Sequence, residues 1–423
     1  MRIKYMHVEN FRGLVDERVE FDESMTVLAG GNGGGKSSLL EAISIMLSWL
    51  PAGLPSAERT PMKIRTSDIT VGKSYSRLSM ILGERHKPDI SLALVKRANR
   101  SAPKIDGNMD GAKKYASDMR VMLDSPQGVS ADIPVFVHYG TKRNGRSAPL
   151  PMRNADRTSV YAKAFDAGTD FGKFSRWISK AVLDRRREME DAAALPLKAA
   201  NRRREEINLK YASVAAVKRA LADFGDSYCD FSVKDGALFL GSKNVPAASL
   251  SDGEKTVIAL IADIAMRMAV ANPQKKNPLD TSAIILVDEL DLHLHPDWQT
   301  AIAERLPRIF TNAQFIISSH SPSIMSLAKS LYRIRGDGGQ SRLERIDSAF
   351  GRSPADLLSS VLNASRESTT AAKIAKMYEF IDEGKYAAAR DIINELDKQI
   401  PDDPEVVRAE YLVRALSARS GEK

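Results

Sequence analysis

The segment that most restricts the fold is MTVLAGGNGGGKSSLL, Met25 to Leu40. Met25 to Ala29 is a short apolar run that reads as a buried strand. It ends directly in a loop containing five glycines, Gly30, Gly31, Gly33, Gly34 and Gly35. Beyond the loop, Leu39, Ile43, Met46, Leu47 and Leu50 recur at helical spacing until Pro51 stops the run. Gly30-x4-Gly35-Lys36-Ser37 satisfies the phosphate-loop pattern, in which glycines let successive backbone N–H groups point at phosphate oxygens. Lys36 adds a point charge for the β- and γ-phosphates, Ser37 is placed to ligate Mg²⁺, and the helix N-terminus behind them favours an anion. Gly30, Gly31, Asn32, Gly33, Gly34, Gly35, Lys36, Ser37 and Ser38 are therefore the expected residues for a nucleoside triphosphate.

A second apolar run, AIILV, is apolar on both faces, as a central parallel strand should be, and it ends in Asp288-Glu289. Asp288 there can hold Mg²⁺ through water, and Glu289 can orient and polarise an attacking water; such positioning provides most of phosphoryl-transfer catalysis. Ser251 with Glu254 three residues later, in LSDGEKT, is a capping box that opens a helix. A further strand, FIISSHSP, supplies His320. The LDLHLHP segment after Glu289 contains an H-x-H pair, but no cysteine lies nearby to complete a zinc site.

The order Lys36, Ser251, Asp288-Glu289, His320 resembles that of ABC-type ATPases, and VENFRG, LSDGEK and VDELDLHLHP resemble their RecF/SMC-related, OLD-like branch. The resemblance implies an α/β fold: an ATPase head with a RecA-like mixed sheet, a phosphate loop and an antiparallel β subdomain. It implies ATP and Mg²⁺ as ligands and catalytic roles for Lys36, Glu289 and His320. Ser251, Asp252, Gly253 and Glu254 would then form a signature that caps the ATP of an opposite subunit, and Asp291 would be the polar contact of the D-loop. Arg12 in ENFRG is a candidate phosphate or base contact, and no glutamine loop is placed. VHYGTKR, YAKAFDAGTDFGKFSRWISK and GRSPADLLSSVLNASRE further resemble the ATPases of Septu and Septu-like retron anti-phage systems. The carboxylate cluster of a Toprim nuclease is missing, so the family implies a separately encoded nuclease or toxin effector under the control of an ATP-linked dimer. The alternative is a RecF-like repair ATPase that clamps DNA.

Charge adds one partner expectation. The net charge is +8, yet Lys142 to Arg219 alone holds 19 Lys and Arg against 9 Asp and Glu. This segment is helical in texture and broken at Pro196, so it reads either as a DNA or RNA contact or as a solvated arm. The expected organisation is 1–140 for the first part of the head, 141–228 for the basic helical insert, 229–345 for the rest of the head and 346–423 for a C-terminal helical region. A tetratricopeptide-like hairpin is expected there, with Asp403-Pro404 opening a third helix. One cysteine, Cys229, fits a reducing cytoplasm. The most apolar stretch, TVIALIADIAMRMAV, is interrupted by Asp263 and Arg267 and is too short to span a membrane.

Overall fold

The structure is a computed structural model. It describes residues 1–423 except 55–59, 85–86, 126–127, 129–130, 142–155, 226–227, 229, 235, 347–349, 353–355, 358–360, 362–367, 401–402 and 421–423. Cys229, the start of the basic segment and most of GRSPADLLSSVLNASRE lie outside the described residues. The chain divides into two compact units, Met1–Leu357 and Leu358–Lys423.

The first unit is built on strands β1 (Arg2–Phe11), β2 (Leu14–Glu20), β3 (Met25–Ala29), β4 (Tyr75–Glu84), β5 (Lys87–Arg97), β6 (Val135–Tyr139), β7 (Phe231–Lys234), β8 (Ala237–Leu240), β9 (Val245–Pro246), β10 (Ala283–Val287), β11 (Ala313–Ser319), β12 (Ser330–Asp337) and β13 (Gln340–Ile346). Its helices are α1 (Lys36–Leu47), α2 (Asp110–Asp124), α3 (Phe171–Ala193), α4 (Leu197–Lys210), α5 (Ala212–Phe224), α6 (Asp252–Ala271), α7 (Pro296–Ile309) and α8 (Pro322–Met325). Ten strands form one sheet in the order β5-β4-β1-β2-β13-β12-β3-β11-β10-β6, and β7-β8-β9 form a small second sheet.

Two textures meet within the large sheet. β3, β11, β10 and β6 run parallel, and every residue of β3, β10 and β11 is buried. Helices cover both faces of such strands, which is why their sequences are continuously apolar. β2, β1, β4 and β5 are antiparallel, and burial alternates along β1 and β4 as one-sided packing requires. The halves join through a single pair, Ser341 with Leu14. Gly13 allows that approach: a Cβ there would sit 2.7 Å from the Ser341 hydroxyl. The expected mixed sheet and antiparallel β subdomain are thus two ends of one sheet.

The stretch 75–137 reads in sequence as strands and turns, but it also contains α2, which buries only Ala112 and Met119 and so leaves little apolar periodicity to detect. α3, α4 and α5 make up the described part of the basic segment. α5 is its inner member, burying Val214, Val217, Ala220, Leu221 and Phe224 and packing on α6. The described residues of the second unit hold three helices, Ser368–Asp382, Tyr386–Gln399 and Pro404–Ser420, around Met377, Ala389, Leu396, Ala409 and Val413. The Asp403 carboxylate accepts the Glu405 N–H at 3.0 Å and so caps the third. No described helix is long and apolar enough to cross a membrane.

Candidate nucleotide-binding site

Each part of the site sits where an apolar strand ends. β3 delivers the glycine loop, β10 delivers Asp288 and Glu289, and β11 delivers His320; as parallel neighbours they end on the same edge of the sheet. This edge, beyond the carboxyl ends of parallel strands, is where open α/β sheets bind ligands.

The loop closes on itself through Gly34 N–H to Gly31 C=O at 3.2 Å. Gly33 and Gly35 have φ of 74° and 110°, and a Cβ on Gly35 would lie 2.7 Å from the Ser341 hydroxyl, so glycine is required there on two counts. Gly31, Asn32, Gly33 and Ser37 are exposed, Ser38 is half-buried, and nothing lies within 4 Å of a Cβ built at Gly31 or Gly33. The rim of the loop is therefore open to a ligand while its base, Gly30 and Gly34, is buried.

Lys36 is only 6% exposed. Its Nζ donates to Gly30 C=O at 2.8 Å and Gly31 C=O at 3.0 Å, and lies 2.9 Å from His320 Nε2. An ammonium has no lone pair, so Nε2 must be the acceptor and the imidazole proton must sit on Nδ1. Burial lowers the lysine pKa, and Asp288, Glu289 and Asp291 oppose that shift. Burial and the Lys36 charge together lower that of His320. A cation held by two carbonyls and an imidazole, with three carboxylates nearby, is poised for a more anionic acceptor.

Asp288 is buried, and its N–H donates to Tyr139 C=O at 2.8 Å. Ser318 was not anticipated from the sequence. Its hydroxyl donates to Asp288 Oδ1 and accepts the Glu289 N–H at 2.7 Å, fixing both acidic residues from the neighbouring strand. Its only sequence signal is a hydroxyl directly after the apolar run Phe315–Ile317, in a strand that is wholly buried. Glu289 has φ 49°, a left-handed conformation that few non-glycine residues adopt and that costs a long side chain energy. The Asp291 carboxylate accepts the His320 N–H at 3.2–3.3 Å, so within one chain it orients the histidine backbone. The donor set fits a magnesium-bound triphosphate: a loop of N–H groups, a buried ammonium, a hydroxyl at Ser37 and a carboxylate at Asp288.

Two sets of expected residues make no hydrogen bond to this cluster among the described residues. Ser251 caps α6, with its hydroxyl accepting the Glu254 N–H at 3.3 Å and its own N–H donating to the Glu254 carboxylate at 2.8 Å. Burial would raise the Glu254 pKa, but hydrogen bonds from Ser251 and from the Tyr228 hydroxyl lower it overall. Asp252 is exposed, and Gly253 packs closely on the D-loop backbone: a Cβ there would lie 2.9 Å from His293 C=O. No hydrogen bond among the described residues links Ser251–Glu254 to the glycine loop of the same chain. Arg12, at φ 53°, turns inward to Glu41 at 2.7 Å and Asp68 at 3.0 Å.

Some of the cations on the basic helices pair with carboxylates of the same helices. Arg186 pairs with Glu190, Arg202 with Glu206, Arg203 with Glu188 and Glu206, and Lys210 with Glu188. A different cation is deeply buried nearby: Arg267 on α6 is bonded to Asp263 at 2.7 Å and to Val160 C=O at 2.6 Å. Asp263 also accepts from the Tyr139 hydroxyl at 2.7 Å, tying α6 to the strand that supports Asp288.

The model of the RecF/RecN/SMC N-terminal domain matches residues 2–342. A retron Ec83 probable ATPase from Escherichia coli is 26% identical over 381 residues, covering 77% of this chain and 69% of its own length. A Septu protein PtuA from Bacillus mycoides is 44% identical over 342 residues, 76% of this chain but only 38% of that protein. A solved SMC head domain from Thermotoga maritima aligns over 82% of this chain and 100% of its own at 14% identity, with a TM-score of 0.46. The resemblance drawn from the sequence, to RecF/SMC-related ATPases and to the Septu and retron ATPases among them, therefore stands. By the extent of the matching domain, the chain belongs to the RecF/RecN/SMC N-terminal domain family.

Proposed function

We propose that this chain is an ATP-binding and ATP-hydrolysing regulatory subunit of a bacterial anti-phage complex, which dimerises head-to-tail around ATP and controls a separately encoded nuclease or toxin. The observation that carries the ATPase part is the convergence of Lys36, Asp288, Asp291 and His320 at one strand edge, with Lys36 Nζ 2.9 Å from His320 Nε2. Lys36 would bind the β- and γ-phosphates, and His320, bonded to Lys36, would sense the γ-phosphate. Glu289, held by its N–H to Ser318, orients the attacking water. Ser37 and Asp288 would hold Mg²⁺, which neutralises charge on the phosphates when bound.

Two observations support dimerisation. Ser251–Glu254 is a preformed, partly exposed helix cap with no bond to its own chain's loop, and the order of motifs is that of a head whose signature acts in trans. The defence reading is supported by the retron and Septu relatives. Shorter matches to RecF proteins, such as 33% identity over 99 residues, favour the second reading, a DNA clamp.

The test is a native pull-down of Glu289→Gln expressed from its own locus and held with ATP. A nuclease-like protein in fixed ratio with a dimer of this chain is the expected result. Nucleic acid alone, washing off as salt rises, would replace the defence reading with the clamp. A variant that stays in its ATP-free oligomeric state would sink the dimer model.

A further inference from the structure

The capping box at the start of α6 is closed from outside as well as from within. Ser251 occupies one oxygen of the Glu254 carboxylate, donating to Oε2 from its N–H and from its hydroxyl, each at 2.8 Å. The other oxygen, Oε1, accepts the Tyr228 hydroxyl at 2.8 Å. A capping box needs only its own two residues. Tyr228 is thus a third member, supplied from 26 positions upstream, between α5 and β7.

Tyr228 is anchored where the basic helices end. Its N–H donates to Gly225 C=O at 2.9 Å, and its ring centroid lies 6.0 Å from that of Trp298 on α7. Trp298 lies 5.6 Å from Phe224, the last residue of α5, and Arg305 of α7 donates to Phe224 C=O. Ring packing at these spacings holds the tyrosine in place, so its hydroxyl reaches Glu254 from a built platform. The helix start has a second neighbour in the D-loop, because Gly253 has no Cβ to meet His293 C=O.

We infer that Tyr228 is a positioning residue for the signature, holding Ser251 and the first turn of α6 in the geometry that receives the γ-phosphate bound by the opposite subunit. The role rests on the head-to-tail dimer proposed above. A phenol donating to a carboxylate makes a charge-assisted bond, stronger than a neutral one, and the carboxylate it fixes suits the positive end of the helix. Among the described residues the box makes no hydrogen bond to the glycine loop of its own chain, so the loss of Tyr228 is felt at the partner's ATP.

Tyr228→Phe removes the hydroxyl and keeps the ring on Trp298. In the Glu289→Gln background, the ATP affinity of the dilute, monomeric chain should stay within about two-fold, while ATP-linked dimerisation, followed by analytical ultracentrifugation, weakens about ten-fold or more. Subunit mixing then separates the two sites of a dimer. Tyr228→Phe mixed with Lys36→Ala pairs an intact loop with an intact signature, so phosphate release should exceed the sum of the two variants measured alone. Ser251→Arg mixed with Lys36→Ala is the control. Recovery in the control but not with Tyr228→Phe, or dimerisation unchanged by Tyr228→Phe, overturns the inference. An equal fall in monomer affinity and in dimerisation also overturns it, making Tyr228 a general support of the fold. A control that fails to recover removes the head-to-tail dimer itself, and the inference with it.

Discussion

Lys36 and the arginines of α3 and α4 are both cations surrounded by carboxylates, yet they are held differently. Lys36 is buried and bonded to neutral acceptors, with Asp288, Glu289 and Asp291 acting on it through space. Arg202, with 85% of its side chain exposed, simply pairs with Glu206 one turn along the same helix. Burial makes the first arrangement costly and responsive to an incoming anion, whereas solvent makes the second nearly neutral in energy. Charge density in a sequence therefore says little until it is known which charges are left wanting a partner.

Four substitutions sharpen that contrast. Lys36→Ala removes the responsive cation, and nucleotide affinity measured by calorimetry should fall about 100-fold or more. Unchanged affinity would refute the loop assignment. Glu289→Gln should leave binding intact and slow phosphate release by about 10²–10³-fold, the range for a positioned acid–base group. Turnover near that of the parent protein would move the water-orienting role elsewhere.

Arg267→Met tests a buried pair away from the phosphate loop. It removes the guanidinium from the half-buried Asp263 carboxylate and should cost about 3 kcal/mol in urea unfolding. A cost near zero would mean that the Tyr139 hydroxyl alone satisfies the carboxylate. Glu206→Gln, on the exposed side of the comparison, should change stability by no more than about 0.5 kcal/mol. It also frees Arg202 and leaves Arg203 only its pair with Glu188, so a nucleic-acid contact on α4 would show as tighter, more salt-dependent binding of an oligonucleotide. No gain in affinity would leave these helices as a solvated arm.

Much of the site could be read along the chain because its parts are local. The phosphate loop needs glycine at particular backbone angles, and Ser251–Glu254 is a cap complete within four residues. Residues that act across strands were harder to see. Ser318 matters only because β11 lies beside β10, and Tyr139 only because β6 lies on the other side. Arg12 looked available for a ligand in sequence but is engaged by Glu41 and Asp68, which lie 29 and 56 positions away. α2 was missed because it buries two residues in four turns, too little to imprint a helical period.

The sequence by itself determined the strand–loop–helix unit at Met25 to Leu50, the acidic strand end and the order of motifs, because short-range sterics and hydrogen bonding decide these. Only the tertiary structure decided that the two sheet regions are one, that Lys36 and His320 meet across 284 positions, and that Arg203 and Lys210 of α4 meet Glu188 of α3. Pairing between distant segments depends on which surfaces are buried together, and no local pattern records that.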